Sequence, residues 1–461
     1  MKKRSLFWKI TSRVFLAAIA LVAIGLLVIA EENIRAKWLW DRYKRQAEAR
    51  GERFDLAAFA EPAVPDEQNF YMTPLLKPVV TDTNAAAAVQ KRLERFDPWG
   101  GENWPRLGKW ADGVSVDQKA WAEHLGADSL VALKAIDPEL DEISQASRRP
   151  FAQLPISLEM RYFHLYLPLR RATQIFSLRA TARLDQGQSS LALEDVKTLF
   201  GISKAASEPP SLMSLMMEVS MVCADLQPVW EGLATHRWND SQLVEIQQML
   251  VQTDLLASGL RGMKGERAFA IAACQTQLSG YWKLARNVLY QNILALSRFY
   301  EERFFPLLDP ASRVISPQAL PPVMPPVDEN APIWSNPIWL RPYTFLFELA
   351  IPALNNGFKK IAYAQTAVDE ARIGCALERY RLANGEYPKK LETLVPRFID
   401  RLPWDIITGQ PLHYERTADG LFTLYSVGWN GVDDHGAVPN DQGCHDLDQG
   451  DWVWRYPAAR P

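Results

Sequence analysis

A run of seventeen uncharged residues, Val14 to Ala30 (VFLAAIALVAIGLLVIA), constrains this chain more than any other stretch in it. At ~1.5 Å of rise per residue a helix of that length reaches ~25 Å, close to the ~30 Å core of a bilayer. Leu6–Trp8, Thr11 and Ser12 can extend it. Lys2, Lys3, Arg4, Lys9 and Arg13 precede the run and Glu31 and Glu32 close it. Basic residues stay on the cytoplasmic side, so residues 1–13 are expected in the cytoplasm, 14–30 across the inner membrane, and the remaining body in the periplasm. Val28-Ile29-Ala30 also fits the small-residue pattern of a signal cleavage site, so secretion after cleavage near Ala30 is the alternative. The run is longer than a usual h-region of roughly 7–15 residues, which favours an uncleaved anchor.

The rest of the chain is too long for one ordinary core, and its 461 residues predict two or three folded units. A hydrophobic share of 48% against 23% charged residues is that of a folded protein. With a net charge of −3 and no basic stripe, binding to nucleic acid is not expected. The charged, helix-prone stretch from Glu31 to about Arg53 should continue the anchor, and Pro62, Pro65, Pro74 and Pro78 should end it, making 31–80 a juxtamembrane helix and linker. From 81 to 308 apolar residues recur every three or four positions, which predicts an all-α domain. Within it, Phe176–Ala205 reads as two helices around the turn Asp185-Gln186-Gly187-Gln188. Ala180, Ala182, Leu184, Ala192 and Val196 are spaced as in a tetratricopeptide-type hairpin, or in any generic αα-hairpin. Ten prolines between 306 and 342 then exclude a helix or central strand, so 309–342 is expected to be an extended connector.

After the connector, residues 343–461 should form a separate α+β head. Ile361, Ala364, Val368, Ala371 and Cys375 mark one face of a helix that is clear from Phe358, and Asn384-Gly385 and Pro388 stop it. Leu412, Tyr414 and Arg416 alternate before Thr417-Ala418-Asp419-Gly420, and Leu421, Thr423, Tyr425 and Val427 alternate after it. That pattern is a β-hairpin, and Trp452–Tyr456 adds a last strand. The whole chain is therefore expected to be mainly α, with a small antiparallel sheet near its end.

ALERYRLANGEYPKKLETLVPRFIDRLPWDIITGQPLHY, followed by FTLYSVGWNG and GDWVW, resembles the head of the type II secretion major pseudopilins. The likeness covers roughly Phe358 to Tyr456, about a fifth of the chain, and extends to large bacterial envelope proteins that carry this module after a helical region. It implies a protein-binding or scaffold role among envelope proteins, linked to a secretion or surface assembly. It also implies a calcium ion in the loop from Trp429 to Asp451. Asn430 stands where the family's motif has an aspartate, Asp451 matches the aspartate before the final tryptophan, and Asp433 and Asp434 can add charge. A pseudopilin's membrane helix carries a glutamate five residues in. The run here has no acidic residue and lies more than 300 residues before the pilin-like helix, so fibre assembly through it is not expected.

Other chemistry is weakly marked. His435, Cys444 and His445 share the loop with six acidic residues but match no zinc spacing. Cys223, Cys274, Cys375 and Cys444 form no C-x-x-C pair, so free buried thiols are expected, with a disulfide as the alternative. The candidates for an enzyme in the all-α domain are Glu266, Arg267, His164 and His236, beside the plainer roles of an ion pair for Glu266 and a backbone-bonded core histidine for His164. No nucleophile elbow, zinc-protease, phosphate-loop or dinucleotide motif occurs. An enzyme would need a deep pocket with convergent polar groups, whereas a binding protein would show a shallow apolar groove.

Overall fold

The computed structural model describes residues 2–94, 130–131, 133–156, 163–277, 286–309, 311–321, 351–437 and 447–454. Its longer elements are, in order, α1 (Lys2–Glu48), α2 (Lys77–Thr81), α3 (Thr83–Leu93), α4 (Asp137–Ser147), α5 (Phe163–Asp185) and α6 (Ser189–Ala206). Then come α7 (Leu212–Ala234), α8 (Asp240–Gln252), α9 (Leu255–Gln277), α10 (Arg286–Phe299) and α11 (Ile351–Asn384), followed by β1 (His413–Arg416), β2 (Phe422–Ser426) and β3 (Trp452–Trp454). The protein is mainly helical, as its periodicity predicts.

Residues 1–58, 267–302 and 322–352 form one compact unit. Its α1 changes character along its length. From Thr11 to Glu31 every side chain is exposed; beyond that a stripe of Asn33, Ala36, Trp40, Tyr43 and Ala47 turns inward. These positions advance by three and four, the seam of a helix pair, and α1 packs along it on α10. Asn33 Oδ1 accepts the backbone N–H of Asn287 at 2.7 Å, supplying a partner to the first turn of α10. Phe54 folds back with its ring edge-on to Trp40, centroids 5.5 Å apart, and the Arg267 guanidinium covers its other face at 4.3 Å. Among the described residues α1 and α7 are both long and apolar enough to cross a membrane. They differ in surroundings: none of the α1 window is buried, whereas 61% of the α7 window is, and α7 is a core helix.

Residues 59–266, 303–321 and 353–461 form the second unit. The α5–α6 hairpin is its centre. Gly187, at φ +73°, makes the turn, and the Gln188 N–H closes onto Arg183 O at 2.7 Å. Asp195 on α6 ties the hairpin together, accepting 2.7 Å bonds from both Arg179 and Arg183 of α5. Helix α7 packs on both arms, α3 lies on α5, and α4 lies on α6. Phe70, Tyr71, Leu140, Ile143, Leu169, Phe176 and Leu199 fill the space between them.

The sheet is an antiparallel meander of order β1-β2-β3, with Tyr414 opposite Leu424 and Leu424 opposite Trp454. It lies on α11: Trp452 meets Tyr363 edge-on at 5.4 Å, and Gly374 leaves room for the Trp454 indole on one side and Leu233 of α7 on the other. The hairpin expected from alternation is present, with Gly420 at φ +86° in its turn. The last strand is described over Trp452–Trp454, and the expected residues 455–456 lie outside the described ones.

Helix α11 is described from Ile351, ahead of the pattern that is clear from Phe358. The described part of the connector, residues 309 and 311–321, is docked and not free. Ile315 is buried and its N–H reaches Ile406 O at 2.7 Å, while Arg313 binds Asp254 at 2.8 Å. Helix α11 is likewise bound to the helical region, where Gln365 Oε1 accepts from Leu255 N at 2.9 Å and Arg379 meets Asp240 at 2.8 Å. Proline removes a ladder donor and disfavours a helix interior, but it does not forbid packing.

Candidate functional site

The loop implied to hold calcium is partly assembled. Asp451 is fully buried at the foot of β3; its Oδ1 accepts the Asp434 N–H at 3.2 Å and its Oδ2 the Gly436 N–H at 2.6 Å. Asn430 Nδ2 donates to Asp434 Oδ2 at 3.1 Å. Asp433 turns elsewhere, accepting from Tyr425 Oη at 3.2 Å and from the His435 N–H at 2.9 Å. Asp434 and Asp451 are thus neighbours and Asp433 faces the sheet. Among the described residues no three His, Cys, Asp or Glu side chains gather around one point. Cys444 and His445 lie outside the described residues.

The motif residues of the C-terminal region carry clear structural duties. Asp405 of Leu402-Pro403-Trp404-Asp405 is buried and accepts from Ile407 N, Ser426 Oγ and Val427 N, so it joins the turn at 405–407 to the end of β2. Tyr387 of Asn384-Gly385-Glu386-Tyr387-Pro388 donates its hydroxyl to Glu378 at 2.8 Å. Gly428, at φ +68°, is in van der Waals reach of the backbone of Gly450: a Cβ there would lie 2.2 Å from Gly450 O.

The enzyme candidates read from the sequence are accounted for structurally. His164 Nε2 lies 2.6 Å from Val79 O, the backbone-bonded role expected of it. Glu266 is not held by the expected ion pair. Its Oε2 accepts the Leu212 N–H at 2.9 Å, one of the otherwise open amides at the start of α7, which is why a carboxylate is useful there. Arg267 is fully buried, donating to Glu52 at 2.6 Å and Arg53 O at 3.0 Å. His236, with φ 54°, places Nδ1 2.9 Å from the buried Glu378. Cys223, Cys274 and Cys375 are free thiols, of which Cys375 is buried; Cys444 is not among the described residues.

A site that these patterns missed lies in the second unit, between the C-terminal turns of α6 and α8, the middle of α7 and the start of α9. A cavity of about 450 Å³ opens there, within the usual span of small-molecule sites. Glu218 of α7 lines it. This carboxyl is almost wholly buried; Oε1 accepts from Ser258 Oγ at 3.0 Å and Oε2 has no hydrogen-bond partner. Burial pushes it up to about 8, with the nearby Glu208 and Asp254 carboxylates adding to the rise and Ser258 and Arg261 opposing it. It therefore holds its proton at neutral pH. Around the rim Arg261 pairs with Glu208, and Lys197 bridges Glu194 at 2.9 Å and Glu245 at 2.7 Å. Ser203, also on the wall, donates to the wholly buried Asp225, seven residues after Glu218 on α7. A second hollow of about 300 Å³ shares Glu61, Gln153 and Glu208 with the first.

One sequence signal could have found this place. Between Leu212 and Trp230 Glu218 and Asp225 are the only charged residues in a largely apolar helix, and a carboxyl in such a helix must be buried at some cost. Compared with family models, with characterised proteins and with solved structures, the chain matches none of them.

Proposed function

We propose that this chain is a single-pass inner-membrane protein, residues 1–13 cytoplasmic and the body periplasmic, that serves as a scaffold binding other envelope proteins in an assembly related to type II secretion. The observation that carries the reading is α1, a single helix whose apolar first half is exposed on every side and whose second half is docked on α10. A helix built in this way transmits the position of the membrane segment directly to a folded unit. The pilin-like motifs around Asp405, Tyr387 and Gly428 support the link to an envelope assembly by resemblance. Calcium in the loop of Asn430, Asp433, Asp434 and Asp451 belongs to the same reading, supported by the Asn430–Asp434 and Asp434–Asp451 contacts.

A second reading, a periplasmic enzyme, is favoured by one specific feature: a cavity of about 450 Å³ whose lining includes the buried Glu218 carboxyl, with one oxygen lacking a hydrogen-bond partner. Fusing a phosphatase active only outside the cytoplasm after Trp454 tests the orientation, and activity is the expected result. A mature chain shortened by about thirty residues would replace the anchor with a cleaved signal. Cross-linking in intact cells should then recover envelope proteins on the full chain and not on a control carrying residues 1–58 alone; equal recovery would remove the scaffold role.

A further inference from the structure

We propose that the cavity beside Glu218 is a binding site for a small organic cation, an ammonium group on a partly apolar body, with the Glu218 carboxylate as its counter-ion. Three observations converge on a cation. First, the C-terminal turns of α6 and α8, which carry the negative ends of those helices, both form part of the wall, through Ser203, Lys204 and Ser207 and through Met249, Gln252 and Thr253. Second, four carboxyl groups line the cavity, Glu61, Glu208, Glu218 and Asp254, against Lys197, Lys204 and Arg261. Of those cations Lys197 and Arg261 are already committed to carboxylates, and Lys204 is exposed on the rim. Asp254 is paired with Arg313 and accepts from the first amides of α9, so Glu218 is the buried acid left without a charged partner of its own. Third, Phe200, Val222 and Met249 supply an apolar wall on which the body of such a ligand can lie.

The binding step balances simply. A neutral Glu218 carboxyl meets an ammonium ion, its proton leaves to solvent, and the resulting carboxylate and the ammonium remain as a hydrogen-bonded ion pair with Ser258 still donating to Oε1. The proposal does not depend on the membrane orientation, since every group it uses belongs to residues 59–321.

The test uses the full chain in detergent, titrated by calorimetry with phenethylamine and with its neutral isostere 2-phenylethanol. The amine should bind at least roughly tenfold tighter than the alcohol. Its affinity should rise by roughly tenfold per pH unit between pH 6 and 8, and close to one proton per ligand should appear in the buffer at pH 7. In Glu218→Gln the preference for the amine, the pH dependence and the released proton should all vanish. Ser258→Ala, which leaves the carboxyl in place, should retain the proton release. Equal binding of amine and alcohol, absence of proton release, no binding of the amine, or an unchanged amine affinity in a folded Glu218→Gln protein would each overturn the proposal.

Discussion

Glu218 and Glu378 are the same residue type, both nearly excluded from water, yet their surroundings drive them in opposite directions. Glu218 has one hydroxyl donor and is pushed up to about 8. For Glu378 burial acts in the same sense, but two bonds from Arg381, at 2.7 and 2.8 Å, with His236 and Tyr387 hold it down to about 2. The stability consequences follow with opposite sign. Glu218 binds its proton more tightly in the folded protein between pH 4.5 and about 8, so folding loses stability as pH rises through that window and no further above it. In denaturant unfolding from pH 5 to 8, the stability of Glu218→Gln should fall less steeply than that of the wild type and should exceed it at pH 8, by on the order of a few kcal/mol. Glu378 instead contributes stability above pH 4.5 that is lost as pH falls toward about 2. Glu378→Ala removes the carboxylate partner of Arg381 and Tyr387 and should cost about 3 kcal/mol in denaturant unfolding at pH 7, with the deficit shrinking below pH 4. A deficit that is constant with pH would contradict that account.

Among the elements, the sheet shows how a local rule and a tertiary demand meet in one residue. Gly428 follows β2 at φ +68° and stands against Gly450 O, just before β3. Any side chain there meets both a strained backbone and a carbonyl that cannot move without opening the β2–β3 edge. Gly428→Ala is expected to cost at least about 2 kcal/mol, read as a lowered denaturant midpoint. Gly385→Ala has open space around it and should cost only the left-handed conformation, about 1 kcal/mol. Equal losses at both positions would mean that the close approach at Gly428 is unimportant. Helix α1 gives the complementary case. Its stripe changes from uniformly exposed to one-sided between Glu31 and Ala36, where its uncharged run gives way to a charged helix carrying Ala36, Trp40 and Ala47 on one face. Trp40→Ala should loosen the α1–α10 pair, seen as faster amide exchange across 286–299, and leave exchange in β2 unchanged.

At the scale of the molecule, α11 is the element on which the second unit depends. From Ile361 to Leu377 it is buried nearly all round, by α7, α8 and α9 as well as by the sheet. A helix without a wet face cannot be the outer layer of a small independent head. The fragment 343–461 made alone is therefore expected to expose apolar surface, bind a hydrophobic dye and unfold without a sharp transition, where the full chain gives a cooperative one. A sharp transition of the fragment would show that the head folds on its own. For the same reason the calcium reading is best tested on the full chain. A midpoint raised by calcium over chelator, and not raised in Asp451→Ala, is expected, with about 2.7 kcal/mol of stabilisation at a hundredfold excess over the dissociation constant. Equal midpoints would remove calcium.

By itself the sequence determined the features that depend on neighbours along the chain. An uncharged run of bilayer length, the three-and-four spacing of the helices, the glycines of the turns at 187, 385 and 420, and the alternation around β1 and β2 are all written locally, because they follow from helix rise, strand pleat and the φ range of a single residue. Asp405 and Tyr387 could be singled out as motif residues, although the acceptor role of one and the donor role of the other needed partners twenty-one and nine positions away. What the tertiary structure alone decided was partnership across distance. The docking of Arg313 and Ile315, the shared burial of α11 and the isolation of Glu218 each join segments tens of residues or more apart. Burial and desolvation depend on what folds over a residue, and no local pattern records that.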